Sequence, residues 1–446
     1  MKPISLHLLL QHLGISTSAP DVLVAGFAID SRLVEPGDLF FALPGNRVAG
    51  EQFLQEVASK GGVAAFVAEN YQGENFGLSL VSVPNVLDVL QALAKKMLAK
   101  RRSQVIAITG SLGKTTAKEF TRQLLQTSYH VDASLRSYNT QSTLPLTILK
   151  ADEEAEILLL EMGMSEPGNI EKLVDIAPPD IAVLTTTAVQ HADLFPDGLQ
   201  GITREKATIF SHPKTRLGLF HHEIAHFHEV KNRGSCQKQT FSLETKEADY
   251  FLEWKEGRIA LYERGVLGLE IPSPFTFKPF IQNFLIAVSI ARIFEVSWEA
   301  IRGQASALKA PSMRFERVEK KGVVFINDAY NANPDAMKAA LESLPKPASG
   351  GKTIAVLSEM NALGMYSEGG HSLVAETALQ YVDLLLCLGD RCQTMQKIWK
   401  REKREALLFK TRQEITVKLQ EIAKPGDIVL LKGARAYALE HLLNEF

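Results

Sequence analysis

The stretch ITGSLGKTTAKEF, residues 108–120, joins an apolar strand to a helix through a glycine-rich turn. In the common phosphate-binding loop, G-x-x-x-x-G-K-[ST], main-chain N–H groups and the lysine surround phosphate oxygens. Here the residue five positions before Gly113 is Ile108, and Gly110 stands only three positions before it. The sequence therefore predicts a shortened phosphate-binding loop that follows a strand of a parallel sheet.

Each part of this loop has an expected role in binding a nucleotide. Lys114 would neutralise charge on the β- and γ-phosphates, and Thr115 stands where such loops place the hydroxyl that ligates Mg²⁺. The alternative is an ordinary strand-to-helix turn, which needs no ligand. The predicted ATP-binding residues of the loop are Gly110, Ser111, Leu112, Gly113, Lys114, Thr115 and Thr116.

Length and composition predict a soluble protein of several domains. The 446 residues exceed the size of one core, and we expect three domains. A hydrophobic fraction of 46%, a charged fraction of 22% and a net charge of -2 argue against general nucleic-acid binding. Three cysteines without paired spacing predict a reducing compartment, and hence the cytoplasm. The N-terminal MKPISLHLLLQHLG predicts an amphipathic helix, and no membrane span is expected.

The order of strands and helices predicts an α/β fold with three domains. Residues 1–102 alternate short strands, beginning with VLVAGFAID, with helices such as EQFLQEVASKGG, and predict a small α/β domain. In residues 103–310, the apolar runs QVIAIT, EILLLEMG, DIAVLTTT and TRLGLF predict a central parallel sheet, and residues 239–271 predict an antiparallel excursion. After the polar stretch LKAPSMRFERVEKKG, residues 311–446 resume the βαβ pattern and predict a Rossmann-like domain.

Two residues at strand ends are candidate metal ligands. Ligands of open α/β sheets bind beyond the carboxyl ends of the strands. Glu161 closes an apolar run, where a carboxylate is costly unless it binds something, so metal ligation is favoured over a solvated strand end. His191 lies in the loop after the following strand. A loop histidine alone carries little weight, so its assignment depends on its neighbours.

The segment NDAYNANPDAM, residues 327–337, gives the third domain its own candidate site. A strand ends within it and Pro334 opens a helix, so it either caps that helix or binds the base and ribose of a nucleotide. The later LLKGARA places two cations at another strand end. The candidate donors and acceptors of this domain are Arg314, Asp328, Tyr330, Asn331, Asn333, Lys432 and Arg435.

The segment HHEIAH, residues 221–226, contains the zinc-protease pattern H-E-x-x-H. On an α-helix it would place His222 and His226 on one face, with Glu223 as the base. It follows directly on a buried-type strand and offers no third ligand beyond other local histidines. We therefore favour an exposed helix after a strand, and keep a zinc hydrolase as an alternative.

The shortened loop, the acidic strand end, the histidine and DAYNANPDAM together resemble the Mur ligases, the ATP-dependent amide-forming enzymes of peptidoglycan synthesis. The resemblance covers essentially the whole chain. Within the family, YNANPDAM, LLKGARA and NTQSTLPLTIL (139–149) are most similar to the branch that joins D-alanyl-D-alanine to UDP-N-acetylmuramoyl-tripeptide. The resemblance implies ATP and Mg²⁺ as cofactors, these two substrates as partners, and an acyl phosphate that an amine attacks.

The resemblance also implies roles for individual residues. Thr115, Glu161, His191 and Lys206 would hold Mg²⁺, with Lys206 carbamylated by CO₂, and Lys114, His191 and Lys206 would be catalytic. The third domain would close over ATP and bind the incoming amine, and Lys432 would bind substrate. Further ATP contacts would come from Asn283, Arg314, Asp328, Tyr330 and Asn331. Ser31 and Arg32 would bind uridine, unless DSR is a simple turn, and we expect a monomer.

The chain departs from the family pattern at several positions. The substituted positions are Ala49-Gly50-Glu51 for DGH, Thr186 for asparagine, Pro279-Phe280 for HN, and Ser358-Glu359 for the first two residues of GDM. The residues expected to do the chemistry remain, which favours altered substrate detail over lost activity. The alternatives are another Mur-type or folylpolyglutamate-type amino-acid ligase, or a catalytically silent nucleotide-binding homologue. The sequence does not indicate the diamino acid of the tripeptide.

Overall fold

The computed structural model describes residues 2–45 and 48–446. In this part of the chain the strands form sheets of two, four, nine and six strands. The four-stranded sheet is parallel, the nine-stranded sheet is mostly parallel, and the six-stranded sheet has one antiparallel edge. The α/β fold class is thereby confirmed.

The first part of the chain contains the two-stranded and four-stranded sheets. Three aromatic rings on the strands, Phe27, Phe41 and Phe66, lie in its core, with 5.2 Å between the last two ring centroids. Its elements are β1 (Ile4–Ser5), α1 (Leu6–Leu13), β2 (Leu23–Val24), β3 (Gly26–Ala28), β4 (Asp38–Phe41), α2 (Leu54–Ser59), β5 (Ala64–Ala68), β6 (Ser79–Val83) and α3 (Val86–Ala99).

Two predictions for this region were wrong in detail. VLVAGFAID is not one strand, because β2 pairs with β1 whereas β3 pairs with β4, in a different sheet. The main-chain N–H of Ala25, between them, donates to the carbonyl of Gly37. The helix expected from residue 51 begins with a 3-10 turn, Gly50–Phe53, before α2. The N-terminal amphipathic helix is present as α1, capped by the Ser5 hydroxyl.

The nine-stranded sheet has the order β15-β14-β13-β12-β11-β10-β7-β9-β8. Alternate residues of β7 and β9 enter different apolar clusters, one on each face, which explains their uninterrupted apolar sequences. The elements are β7 (Gln104–Thr109), α4 (Lys114–Leu125), β8 (Val131–Ala133), α5 (Thr143–Lys150), β9 (Ile157–Glu161), α6 (Asn169–Ile176), β10 (Ile181–Leu184), α7 (Leu199–Ala207), β11 (Leu217–His221), α8 (His228–Asn232), β12 (Gln237–Ser242), β13 (Tyr250–Lys255), β14 (Arg258–Glu263), β15 (Val266–Pro272), α9 (Lys278–Ile293) and α10 (Trp298–Ala305).

The predicted antiparallel excursion is an extension of the central sheet. Strands β13, β14 and β15 pair in antiparallel fashion. However, β12 pairs in parallel with both β11 and β13, so its assignment to the antiparallel part was wrong. The excursion therefore lengthens one continuous sheet.

The six-stranded sheet has the order β16-β17-β21-β18-β19-β20. Its elements are β16 (Glu316–Lys320), β17 (Val323–Asn327), α11 (Pro334–Glu342), β18 (Thr353–Ser358), α12 (Ser367–Tyr381), β19 (Leu384–Leu388), α13 (Gln393–Arg401), β20 (Ala406–Phe409), α14 (Arg412–Ile422), β21 (Ile428–Lys432) and α15 (Leu442–Glu445). The polar stretch LKAPSMRFERVEKKG, after which we predicted the third domain, contains β16. This is an antiparallel edge strand with alternately exposed residues.

Two contacts join the central and last sheets beside the site. The rings of Phe277 and Phe315 stack with their centroids 3.9 Å apart. The main-chain N–H of Ala192 donates to the carbonyl of Ala362 over 3.1 Å. The domain limits of 1–102, 103–310 and 311–446 remain a proposal, in which each large sheet is the centre of one domain. Within residues 2–45 and 48–446, no helix has the length and apolar character needed to cross a bilayer.

Candidate active site

The shortened loop between β7 and α4 has no room for side chains at its two glycines. Gly110 has a φ of +149°, and a Cβ there would lie 1.9 Å from the hydroxyl oxygen of Thr185. Gly113 has a φ of +81°, and its Cβ would lie 2.3 Å from Oδ1 of Asn283. Only glycine suits both positions, because other residues would be strained in φ and would clash.

The loop is held in shape by the segment that follows β10. The N–H of Ser111 donates to the carbonyl of Thr186 over 2.8 Å, and its hydroxyl donates to the carbonyl of Ala188 over 3.0 Å. The hydroxyl of Thr185 donates to the carbonyl of Leu112 over 2.5 Å. The N-terminal end of α4 is thus fixed with free main-chain N–H groups, which is the arrangement that binds a phosphate.

Lys114 begins α4 and lines the cleft in front of the loop. Its Nζ donates to the carbonyl of Gly110 over 2.7 Å. Burial lowers the pKa of Lys114, attraction to the Glu161 carboxylate opposes this, and repulsion from Arg314 adds to it. An anionic ligand bound between Lys114 and Arg314 would stabilise the charged form of Lys114, because it would attract both cations.

Glu161, at the end of β9, fits the expected magnesium site. Its side chain is 1% exposed, accepting from the hydroxyl of Thr115 over 2.9 Å and from the amide of Asn139 over 2.7 Å. In the described residues neither bond comes from a cation, although Lys114 and Lys118 lie close enough to attract the carboxylate. The Thr115 hydroxyl also lies 2.8 Å from that of Ser137. Hydroxyl and carboxylate oxygens beside a phosphate loop are donors that suit Mg²⁺.

His191 and Lys206 lie on the β10 side of the loop. His191 has a left-handed φ of +53°, and burial, followed by repulsion from Lys206 and Lys114, lowers its pKa. Lys206 is 0% exposed, and its Nζ has no hydrogen-bond partner among the residues described. Burial, and then Lys114, holds the pKa of Lys206 well below its usual value. A fully buried amine without a hydrogen-bond partner among the described residues is unusual for a lysine and points to a chemical role.

The opposite wall of the cleft comes from the ends of β17 and β21. Lys432 is 2% exposed, and its Nζ lies 2.5 Å from the Asp328 carboxylate and 3.2 Å from the carbonyl of Asn331. The guanidinium carbon of Arg314 lies 4.2 Å from the ring centroid of Tyr330. Arg314 and Tyr330 thus form a cationic and aromatic surface, whereas the charge of Lys432 is already balanced.

These elements enclose one cleft of about 640 Å³. Among the described residues of the first sheet region, Leu43, Pro44 and Leu87 line it. The predicted site residues that line it are Ser111, Leu112, Gly113, Lys114, Thr115, Thr116, Glu161, His191, Asn283, Arg314, Asp328, Tyr330, Asn331, Asn333 and Lys432. Gly110 and Lys206 lie behind this surface.

Ser31 and Arg32 are not part of the cleft wall. The Ser31 hydroxyl donates to the Glu56 carboxylate over 2.7 Å. The Arg32 side chain is 80% exposed and pairs with Asp30 at 2.6 Å. A uridine contact at these residues therefore remains a prediction that depends on the family resemblance alone.

The wall beside Glu161 contains residues that we did not predict. It is formed by the segment after β8 and by the segment between β9 and α6, with Ser137, Asn139, Thr140, Gln141, Ser142, Ser165, Glu166 and Asn169. The available signal was the polar run RSYNTQS, residues 136–142, between β8 and α5. Residues 139–142 of this run also belong to NTQSTLPLTIL, the segment that resembles the family.

The segment HHEIAH does not form a metal site. Residues His222–Ile224 make one 3-10 turn, so the exposed helix that we favoured is also wrong. Glu223 pairs with His221 at 3.0 Å and accepts from the Ser242 hydroxyl, while His226 Nδ1 lies 2.8 Å from the carbonyl of Glu223. No group of three or more His, Cys, Asp or Glu placed to hold a metal occurs in residues 2–45 and 48–446.

Most of the departures from the family pattern have structural partners. Thr186 acts through its carbonyl, as described above. Glu51 accepts from the N–H of Ala68 over 3.3 Å. Glu359 accepts from the Tyr437 hydroxyl over 2.7 Å and from a main-chain N–H over 3.0 Å. Phe280 packs among other phenylalanines, with 4.9 Å between its ring centroid and that of Phe277. These residues stabilise the fold and none of them removes the phosphate loop.

Comparison with known families agrees with this geometry. Residues 23–107 match the description "Mur ligase family, catalytic domain", 108–291 match "Mur ligase middle domain", and 313–435 match "Mur ligase, glutamate ligase domain". The chain belongs to the Mur ligase family. The family prediction is therefore confirmed.

Individual relatives cover nearly the whole chain. The UDP-N-acetylmuramoyl-tripeptide--D-alanyl-D-alanine ligase of Bacillus subtilis is 30% identical, over 95% of this chain and 93% of its own. MurF from Thermotoga maritima, solved with ADP, is 28% identical with a TM-score of 0.77, over 94% of this chain and 96% of its own. MurF from Acinetobacter baumannii shares the fold, with a TM-score of 0.84 and 23% identity, over 100% and 99% of the two chains.

The phosphate loop can be tested with Gly113→Ala. The added Cβ would collide with Asn283, and the left-handed φ would be strained, so we expect the Kd for ADP to rise at least about tenfold. Isothermal titration calorimetry measures this directly. The matched control is Gly303→Ala, in α10, where a Cβ meets nothing within 4 Å. Equal ADP affinity in both variants would contradict the assigned loop.

The buried ion pair between Lys432 and Asp328, in the opposite wall of the cleft, can be tested with Lys432→Met. Removal of the lysine leaves the Asp328 carboxylate buried without its partner, so we expect unfolding to become easier by about 3–5 kcal/mol. Chemical denaturation with a probe of the last sheet reports this. Lys338→Met, which breaks an exposed pair with Glu342, should change stability by less than about 1 kcal/mol. A small effect in both variants would show that the Lys432 pair is not a stabilising element.

Proposed function

We propose that this chain is an ATP-dependent ligase that joins D-alanyl-D-alanine to UDP-N-acetylmuramoyl-tripeptide, releasing ADP and phosphate. The observation that carries the proposal is the phosphate loop with the buried Thr115–Glu161 pair, which faces Arg314 and Tyr330 across one cleft. The relatives named above supply the two substrates, since each covers most of this chain.

The geometry suits the activation of a carboxylate by phosphorylation. An oxygen of the tripeptide carboxylate attacks the γ-phosphorus, and the bond from that phosphorus to ADP breaks. The amine of the dipeptide then attacks the acyl phosphate, loses a proton, and expels inorganic phosphate as the amide bond forms. Lys114 and the N–H groups of α4 stabilise the charge on the transferring phosphoryl group, which needs positioning more than covalent help.

The two walls would divide the binding of ATP between them. The loop Gly110–Thr116 would take the phosphates, and Asn283 would lie beside them, because its amide already touches the Gly113 position. Arg314 would approach the γ-phosphate from the opposite side, and Tyr330, Asp328 and Asn331 would bind the base and ribose. Closure of the last domain over ATP would exclude the water that destroys an acyl phosphate.

Mg²⁺ would be held by Thr115, Glu161 and His191, and it would supply charge neutralisation for the β- and γ-phosphates. Lys206 would complete this shell as a carbamate. Its amine is buried and has no hydrogen-bond partner among the described residues, and burial lowers its pKa, which favours loss of the ammonium proton. The deprotonated amine would attack CO₂, giving a carbamate and one proton. The product is an oxygen donor, which the unmodified lysine cannot be.

The remaining parts of the proposal concern the environment and the substrates. Ser31 and Arg32 would bind the uridine end of the substrate, and Lys432 would act by holding Asp328 and Asn331 in place. We propose that the protein works in the cytoplasm, where nucleotide-linked precursors and ATP are present, and that it is a monomer.

The reaction can be tested by measuring phosphate release from ATP and Mg²⁺. We expect release only when UDP-N-acetylmuramoyl-tripeptide and D-alanyl-D-alanine are both present, and a loss of at least about 10³-fold in Lys114→Ala, because transition-state charge stabilisation is removed. Release with glutamate or another amino acid as acceptor would favour a different ligase of the family. Binding of ATP without phosphate release, whichever acceptor is added, would indicate a catalytically silent homologue. Zinc-dependent hydrolysis of a substrate would indicate a zinc hydrolase instead.

The modification of Lys206 can be tested without an activity assay. In ¹³C-bicarbonate we expect a carbamate signal by ¹³C NMR that is present in the parent protein and absent in Lys206→Met. Lys172→Met, on the surface of the same sheet region, should keep the signal because this lysine is exposed. A spectrum without any carbamate signal at saturating bicarbonate would contradict the proposal.

A further inference from the structure

Lys118 is a buried lysine that the proposed reaction does not use. It lies on α4, one turn after Lys114, and its side chain is fully enclosed, at 2% exposure. Its Nζ donates to the main-chain carbonyls of Ser134 and Arg136. No carboxylate of the described residues forms an ion pair with it. The buried ammonium is therefore hydrogen-bonded by these two carbonyl oxygens.

The carbonyl oxygens that Lys118 binds belong to the loop 134–142, which enters an unfavourable conformation. Arg136 has a left-handed φ of +50°, which is costly for a residue other than glycine. Leu135 is 64% exposed, so the loop leaves its apolar side chain in solvent. Apolar burial therefore does not explain the shape of this part of the loop. Hydrogen bonds hold it instead: the two from the Lys118 ammonium, and one from the main-chain N–H of Ser134 to the carbonyl of Leu159 over 3.0 Å.

The same loop carries two side chains to the residues expected to hold Mg²⁺. Ser137 lies 2.8 Å from the hydroxyl of Thr115, and Asn139 donates to Glu161 over 2.7 Å. At the start of the loop, the Ser134 hydroxyl accepts from the N–H of Glu161 over 3.2 Å. The loop is therefore attached to Lys118 through the carbonyls of Ser134 and Arg136. It is attached to Thr115 and Glu161 through the side chains of Ser134, Ser137 and Asn139.

We propose that Lys118 is a positioning residue for the magnesium site, because its buried ammonium fixes the loop 134–142 and this loop orients Thr115 and Glu161. This inference rests on the proposed function for the identity of the metal site. Lys118 does not line the cleft, so it does not touch the nucleotide. It acts through Ser137 and Asn139, whose hydrogen bonds orient the Thr115 hydroxyl and the Glu161 carboxylate.

The test compares Lys118→Met with Arg122→Met. Both remove a cation from α4, but Arg122 pairs with Glu119 and Gln126 of its own helix and does not contact the loop. We expect Lys118→Met to bind ADP without metal as the parent does, and to bind Mg²⁺ to its ADP complex about tenfold more weakly. Calorimetric titration measures both affinities. Arg122→Met should keep both values.

Hydrogen exchange gives a second readout that does not depend on the metal. In Lys118→Met, amides of residues 134–142 should exchange faster than in the parent, while those of β7 and α9 are unchanged. Unaltered exchange in the loop, or unaltered Mg²⁺ affinity in a folded Lys118→Met protein, would overturn the inference.

Asn139→Ala keeps the test decisive if Lys118→Met does not fold. This variant leaves Lys118 in place and removes the side-chain hydrogen bond from Asn139 to Glu161, so it should also weaken Mg²⁺ binding. Parent-like Mg²⁺ affinity would refute the inference. Experiments on the parent protein distinguish a failure of the proposed function from a failure of the role proposed for Lys118. If it binds Mg²⁺ and ADP but ligates no dipeptide, the proposed function fails, whereas the titrations still decide the role of Lys118.

Discussion

The structure of the site depends on a lack of space around the turn between β7 and α4. Thr185 occupies the place of a side chain at Gly110, and Asn283 occupies it at Gly113. Through these contacts, the end of β10 and the helix α9 both pack against residues 110–113, the four residues that lead into α4. As a result the first turn of α4 has one orientation, and Lys114 and Thr115 take their positions from it. A shorter loop than the common one is possible because neighbouring elements, and not extra loop residues, supply its support.

A second constraint is an excess of buried positive charge around a single carboxylate. Lys114 and Lys206 repel one another, Arg314 faces them across the cleft, and both Lys114 and Lys118 are attracted to Glu161. Burial makes such charges costly unless a ligand balances them. A nucleoside triphosphate supplies several negative charges at this point. The cleft is therefore electrostatically suited to ATP.

The sequence was sufficient for elements with a strong periodic or compositional signal. The buried parallel strands, the glycine turn and the strand-end carboxylate could all be predicted, because each has a local physical cause. The short strands β8 and β20 and the edge strand β16 could not, since pairing with a neighbour creates them. The same holds for the loop 134–142, because the Lys118 bonds that shape it connect residues that are distant in sequence. HHEIAH shows the reverse case, in which a local pattern predicts chemistry that the fold does not support.

The role of the cleft can be tested most directly by following the oxygen atoms. With the terminal carboxylate of the tripeptide labelled with ¹⁸O, ligation through an acyl phosphate transfers one label to each phosphate released, which ³¹P NMR detects. We expect one ¹⁸O atom per phosphate, in amounts equal to the amide formed. Phosphate without label would mean that water attacks ATP directly, and would contradict carboxylate activation in this site.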